Sequence, residues 1–316
     1  VSTTADNSSA SDSSASVGVD LGATLTRAVL VDATGAIGPV TSVPTAMLGA
    51  GAPAQRIAKM IDLIEAVAAG QGSIRSIGIG ASGPIGSDGV IHNADTLPAF
   101  TDLVLTVAIE GHFDVPCLID NDAVTAAIGE YHRGAGNTAS RMIMVTLGTG
   151  IGVAVLCDGV PSRGGDGEHP EAGHISVPGG PAECYCGLAS CWEQVASRRA
   201  LEHLAMDVIG RHASRDSPQT AVEELGRRAA GGDEVARTAM RAYGRSVGHG
   251  LATLVAVHRP NRVVLGGSAA QHLDLFEPGM RESMRRSDGY SVSTDICAAV
   301  LGDASGAVGA ALLVAR

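Results

Sequence analysis

The sequence predicts an α/β protein built as two α/β domains around a cleft, and three observations carry that prediction. First, 316 residues with 45% hydrophobic content can bury a large core, and the length suggests two domains. Second, one hairpin pattern occurs twice. Val17 to Asp32 and Met142 to Asp158 both read as strand, small-residue turn, strand, with β-branched alternation on either side. Laid over each other without a gap, Leu21–Asp32 and Leu147–Asp158 are identical at six of twelve positions. Third, apolar helical stretches and further short strands follow each copy, as layered α/β halves require.

Taken in order, residues 1–16 are Ser/Asp/Ala-rich, lack the basic start and apolar run of a secretory signal, and read as a disordered tail. Residues 17–119 plus about 303–316 form the expected small N-terminal domain, and residues 120–302 the large one, with a metal-binding loop at 169–193. The formal charge of -11 and pI near 5.3 argue against the concentrated basic face that nucleic acid or an anionic membrane would need. At 3% aromatic content there is no stacking platform for bases either. No apolar run reaches the ~18–20 residues of a membrane helix, and Cys117, Cys157 and Cys297 are scattered singly, so the cytoplasm is the expected compartment.

The two hairpin turns suit phosphate. Gly22-Ala23-Thr24 and Gly148-Thr149-Gly150-Ile151-Gly152 offer unhindered backbone N–H donors and a hydroxyl where an anion can approach closely. A Walker-type loop is excluded, because the chain lacks its motif and Lys59 is the only lysine. Neutralising charge must come from backbone dipoles, arginine or Mg²⁺. Asp20, immediately before the first turn, is placed to hold Mg²⁺ through water, or simply to serve the turn.

Val115 to Ile119 reads as an apolar strand handing over, at Asp120-Asn121-Asp122, to the helix AVTAAIGEYHRG. Such residues are ordinary N-caps. A carboxylate at the carboxyl end of an α/β strand also faces the region where these sheets place ligands, and can accept a hydroxyl proton as that oxygen attacks a γ-phosphate. Asp122 is the candidate general base, and Asn121 a contact to another substrate hydroxyl.

The Gly/Pro-rich segment from His169 to Glu193 concentrates a histidine and three cysteines, His174, Cys184, Cys186 and Cys191, that match the four-ligand set of a closed structural zinc site. Scattered reduced thiols are the alternative, less apt for three cysteines within eight positions.

The order Asp20-Leu21-Gly22-Ala23-Thr24, Asn121-Asp122-Ala123, Gly148-Thr149-Gly150-Ile151-Gly152, Glu171-Ala172-Gly173-His174, then Cys184-x-Cys186-Gly187-x-x-x-Cys191-x-Glu193 resembles the ROK family of bacterial sugar kinases. Leu265-Gly266-Gly267-Ser268 resembles its adenosine-side turn, and Leu301 to Ala311 its closing helix. The resemblance implies an actin-like ATPase (ribonuclease H-like) fold and Mg-ATP-dependent transfer to a primary hydroxyl of a hexose. It implies Asp122 as base, with Asn121, Glu171, His174 and Glu193 on the sugar. ATP and its phosphates would lie on Asp20, Gly22, Thr24, Gly148, Thr149, Gly150, Gly266 and Gly267. It also implies zinc on His174, Cys184, Cys186 and Cys191 and a homodimer; closure of the two domains is expected separately, because water in an open cleft would compete with the sugar hydroxyl for the phosphoryl group.

Departures bear on the substrate. Thr96-Leu97-Pro98 stands where family glucokinases show Asn-Leu-Pro, the Gly80-Ala81-Ser82-Gly83-Pro84 loop differs from Gly-x-Pro-Gly-Pro, and Ser190 replaces a glycine. His169-Pro170-Glu171 resembles fructokinase-like members more than glucokinases. A modified hexose or a cyclitol is the alternative substrate. The same family holds sugar-responsive repressors; their helix-turn-helix takes more residues than the sixteen preceding Val17, and Asp122 favours the kinase. A catalytically silent sugar-binding protein is the third reading.

Overall fold

Alternation of apolar residues folds Ala15–Leu21 and Leu25–Val31 into β1 and β2, an antiparallel hairpin whose register runs from Ser16 opposite Val31 to Leu21 opposite Thr26. The structure, a computed structural model, describes residues 14–70, 73–86, 88–180, 183–210, 218–285 and 293–313. Most of the expected tail therefore lies outside the described residues. Its last two residues do not behave as tail: β1 begins at Ala15, and Ser16 is buried because its hydroxyl pairs with that of Ser76 at 2.8 Å.

The described chain divides into two compact units, one running up to Thr125 and joined by the segment from Gly306 onward, the other Ala126–Ser305. These limits differ from the expected 119/120 and 302/303. Asp120, Asn121 and Asp122 consequently belong to the first unit, not to the larger one.

In the first unit, β3 (Thr41–Pro44), the single turn α1 (Thr45–Leu48) and helix α2 (Pro53–Ala68) follow the hairpin, then β4 (Ile74–Ala81), α3 (Leu105–Phe113) and β5 (Cys117–Asn121). Pro53 opens α2 at a position where its missing N–H costs nothing, and Met60, Leu63 and Ile64 form the apolar stripe that helix turns into the core. The sheet order is β3-β2-β1-β4-β5, antiparallel on the hairpin side and parallel across β1, β4 and β5. Helix α4 (Asp122–Arg133) starts in this unit and ends in the next.

The second unit repeats the plan. Strands β6 (Arg141–Leu147), β7 (Ile151–Cys157) and β8 (Val160–Pro161) are followed by α5 (Trp192–Ala196), α6 (Arg198–Ile209), α7 (Pro218–Ala230) and α8 (Glu234–His258). The unit continues with β9 (Arg262–Gly266), α9 (Leu273–Met284) and β10 (Asp295–Ala298); α10 (Ser305–Ala311) then returns the chain to the first unit. The order β10-β9-β6-β7-β8 is the first sheet's order read in reverse, with the same parallel and antiparallel neighbours. The duplication inferred from the hairpins therefore extends to the whole sheet. Asp233 caps α8, accepting from the N–H groups of Val235 and Ala236. The core of this unit centres on Trp192, Tyr243, Phe276 and Met280, with the Tyr243 and Phe276 rings edge to face at 5.3 Å.

Candidate active site and metal centre

Parallel pairing aligns Asp20 with Gly80 and Gly80 with Asp120, so the segments leaving β1, β4 and β5 meet at one carboxyl edge of the first sheet. Asp122, half-buried, sits there as the first residue of α4. One carboxylate oxygen accepts from the Ser82 hydroxyl at 2.6 Å, the other from the N–H of Ala123 at 2.8 Å. Both oxygens keep lone pairs for a further proton donor. The capping role falls to Asn121. Its Oδ1 accepts from Ala123 N–H at 2.8 Å and Val124 N–H at 3.4 Å, and its amide nitrogen donates to the Gly83 carbonyl at 3.1 Å. Asn121 is buried, so it holds the Ser82–Gly83 loop against the start of α4. Asn93 braces the same loop, donating to the Ser82 carbonyl at 2.9 Å and bonding to Thr96. Asp20 lies against the backbone of Gly306, where a Cβ would come within 2.8 Å of its carboxyl carbon. Gly22, whose N–H donates to the Leu25 carbonyl at 3.2 Å, and Thr24 form the adjoining turn.

In the second unit, the turn Gly148-Thr149-Gly150 joins β6 to β7, closed by the Gly148 N–H on the Gly150 carbonyl at 3.0 Å. Thr146 pairs with Gly266 across β6 and β9, which puts Gly266 and Gly267 beside this turn. Gly267 has φ 79° and packs on the Leu147 backbone, a position no residue with a Cβ could take. A cation also lies here: Arg198 donates its own N–H to the Gly148 carbonyl at 2.8 Å, reaches the Thr149 hydroxyl at 3.3 Å, and is ion-paired to Glu202.

The ligand atoms of His174, Cys184, Cys186 and Cys191 lie within 4.8 Å of one another. His174 turns Nδ1 toward the sulfurs, 3.3 Å from Cys191 Sγ and 3.8 Å from Cys184 Sγ. One imidazole nitrogen and three thiols at this spacing fit a tetrahedral zinc ion. Burial raises the Cys184 thiol, but hydrogen bonds from Cys186, Gln194 and Cys191 outweigh it and bring the pKa down to about 7; burial pushes that of Cys191 up to about 12. The segment is folded by backbone pairing: Val177 N–H to the Ser190 carbonyl and Trp192 N–H to the Ile175 carbonyl, both at 2.8 Å.

The carboxylates converge on the outward face of His174. Glu193, buried, accepts from the Ile151 N–H at 2.9 Å, and the same oxygen lies 4.0 Å from His174 Nε2. It is fixed by its neighbour Trp192, fully buried, whose indole N–H donates to the Ser246 carbonyl at 3.0 Å. Glu171 is paired with buried His169 at 3.3 Å. That hydrogen bond, together with the charges of His169 and His174, holds the Glu171 carboxyl below its usual range against the opposing effect of burial. The Tyr185 hydroxyl completes the group at 3.1 Å from His174 Nε2.

Residues 16–316 match the profile of the ROK family. The chain belongs to the ROK family. Among characterised relatives, it is 31% identical to the glucokinase of Streptomyces coelicolor over 93% of this chain and 96% of that protein. The ROK family glucokinase of Streptomyces griseus, solved in complex with glucose and AMPPNP, superposes with a TM-score of 0.76 at 31% identity, covering 95% of this chain and 98% of that one. The ROK hexokinase of Thermus thermophilus gives 0.77 at 32% identity over 94% and 97%. The family also includes regulators: a putative xylose repressor of Caldicellulosiruptor is 30% identical over 84% of this chain and 68% of its own length. The two-sheet architecture of this ROK chain is the actin-like ATPase fold of the ROK kinases.

Within the ROK chain, the structure gathers Glu171, His174, Glu193 and the three cysteines into one cluster, Gly148–Gly150 with Gly266 and Gly267 into a second, and Asp20, Asn121 and Asp122 along one sheet edge. Sequence reasoning missed Ser82, Arg198 and Tyr185. A serine in a Gly/Pro loop and an arginine opening a helix carry no signal of their own. Tyr185 did carry one, as the residue between two metal ligands. No helix among the described residues is long and apolar enough to cross a membrane.

Proposed function

We propose that this chain, an ATP-dependent sugar kinase of the ROK family, phosphorylates a primary hydroxyl of a hexose or hexose-like substrate with Asp122 as the general base. The observation that carries the reading is the fixed carboxylate of Asp122, aimed from the carboxyl edge of β5 by Ser82 and the Ala123 N–H. The sugar oxygen attacks the γ-phosphorus of ATP as its proton passes to Asp122; the new P–O bond forms, the bond to the β-phosphate oxygen breaks, and ADP leaves. Glu171, His174 and Glu193 bind and orient the sugar hydroxyls, and the second hydrogen of the Asn121 amide reaches another. The N–H groups around Gly22, Thr24, Gly148, Thr149 and Gly150 hold the phosphates, and Gly266 and Gly267 admit the adenosine side. Asp20 would hold Mg²⁺ through water, and the ion would supply charge neutralisation for the phosphates.

His174, Cys184, Cys186 and Cys191 would hold a zinc ion that, with all four positions taken by protein, would shape the loop rather than join in phosphoryl transfer. The cytoplasm, where thiols stay reduced and ATP is present, is the compartment this reading implies, and a homodimer is the assembly; the latter rests on the family resemblance alone. The test is an ADP-release assay across glucose, mannose, fructose, N-acetylglucosamine, N-acetylmannosamine and cyclitols. ATP consumption with at least one of them is expected. Sugar binding without ATP consumption across the panel, or retention on DNA at physiological salt, would defeat the kinase reading.

A further inference from the structure

Tyr185 stands between two metal ligands, Cys184 and Cys186, and its ring is 75% exposed, so packing does not explain where it points. Its hydroxyl end is turned inward. The Tyr185 and His174 rings meet edge to face at 5.1 Å and 84°, with the hydroxyl 3.1 Å from Nε2. The groups around the hydroxyl have defined polarity. His174 presents Nδ1 to the thiols, and an imidazole that ligates through Nδ1 keeps its proton on Nε2. Nε2–H therefore donates to the Tyr185 oxygen, and the Glu193 carboxylate, whose Oε2 lies 4.0 Å from the same Nε2, is the nearby acceptor left for the Tyr185 O–H. One bond accepted and one donated, on these two residues, is the pattern an alcohol makes there. A phenol and a sugar hydroxyl are interchangeable in it.

We propose that Tyr185 is a displaceable latch: its hydroxyl occupies the position of a substrate hydroxyl on His174 and Glu193, and the sugar must expel it to bind. The inference rests on the kinase reading for the identity of the ligand, and adds what sets its affinity. Two features make release feasible. Tyr185 is mostly exposed, so little packing is lost when it leaves, and Cys184 and Cys186 fix the backbone on either side, so only the side chain has to turn.

The test compares wild type with Tyr185→Phe, which keeps the ring and removes the competing oxygen, and with Tyr185→Ala, which removes both. Glucose and the other panel sugars are titrated without ATP, following the fluorescence of Trp192, the only tryptophan, which lies next to the cluster. The expected result is a sugar Kd lower by about 2- to 10-fold in both variants, the worth of one competing hydrogen bond, with zinc content unchanged. In turnover, the KM for sugar falls by the same factor while kcat changes little. An unchanged Kd in the Phe variant would overturn the latch, and a weaker one would show that the hydroxyl binds the sugar rather than competing with it. Both outcomes leave the kinase reading standing as long as the wild type consumes ATP; a wild type inert toward every sugar would remove that reading first, and the latch with it.

Discussion

Replacing Glu130 by glutamine should destabilise the second unit by an amount that follows from four hydrogen bonds. Glu130 is fully buried near the end of α4. Its Oε1 accepts from the Leu301 N–H and the Ser305 hydroxyl, both at 2.8 Å; its Oε2 accepts from the N–H groups of Ala135 at 2.8 Å and Val300 at 3.1 Å. The carboxylate thereby ties α4 to the segment that enters α10. Glutamine fits the same space with one acceptor end. The better orientation puts its oxygen toward Ala135 and Val300 and lets its amide donate to Ser305, whose single hydroxyl proton then turns to the Gly302 carbonyl. That leaves the Leu301 N–H buried without an acceptor. One orphaned donor costs about 1–3 kcal/mol, and exchanging a charged acceptor for a neutral one weakens the bonds that remain, for a sum of about 3 kcal/mol. For a unit of this size that lowers the melting temperature by about 6–12 °C. Trp192 lies in the same unit, so thermal unfolding followed by its fluorescence reads the relevant transition. A drop of less than about 2 °C would refute the reasoning, because it would mean that the four bonds add nothing over solvent-exposed alternatives.

Two further outcomes follow from the sites. Ser82→Ala removes the 2.6 Å hydrogen bond that aims Asp122, and should lower kcat by about 3- to 10-fold while the sugar Kd stays within about twofold, as steady-state rates and the fluorescence titration would show. Cys184→Ser or Cys186→Ser should lose zinc and lower thermal stability and sugar affinity together, measured by metal analysis and thermal shift; a folded, zinc-free variant that still binds sugar normally would contradict the shaping role given to the metal.

The duplicated architecture was legible because hairpin and turn are local, and the identities between Leu21–Asp32 and Leu147–Asp158 record them directly. The metal cluster was legible for a related reason: its ligands are rare residue types within a short span. What escaped depends on partners distant in the chain. Glu130 looks like a solvated charge on an amphipathic helix, and only its contacts with residues near 300 reveal it as a buried acceptor. Ser16 looks like part of a polar tail until Ser76 and Arg75 satisfy its hydroxyl across the sheet. Asn121 and Asp122 could not be told apart as cap and base from sequence; the geometry gives the cap to Asn121, which leaves the Asp122 carboxylate oriented by Ser82.

The central claim is that Asp122 takes the proton of the attacking hydroxyl. Asp122→Asn keeps the size of the side chain and can still bond to Ser82, but cannot accept that proton. Measured with the best sugar of the panel, ADP release should fall by at least about 1,000-fold while the sugar Kd stays within about tenfold. Turnover in that variant close to the wild-type rate would contradict the account.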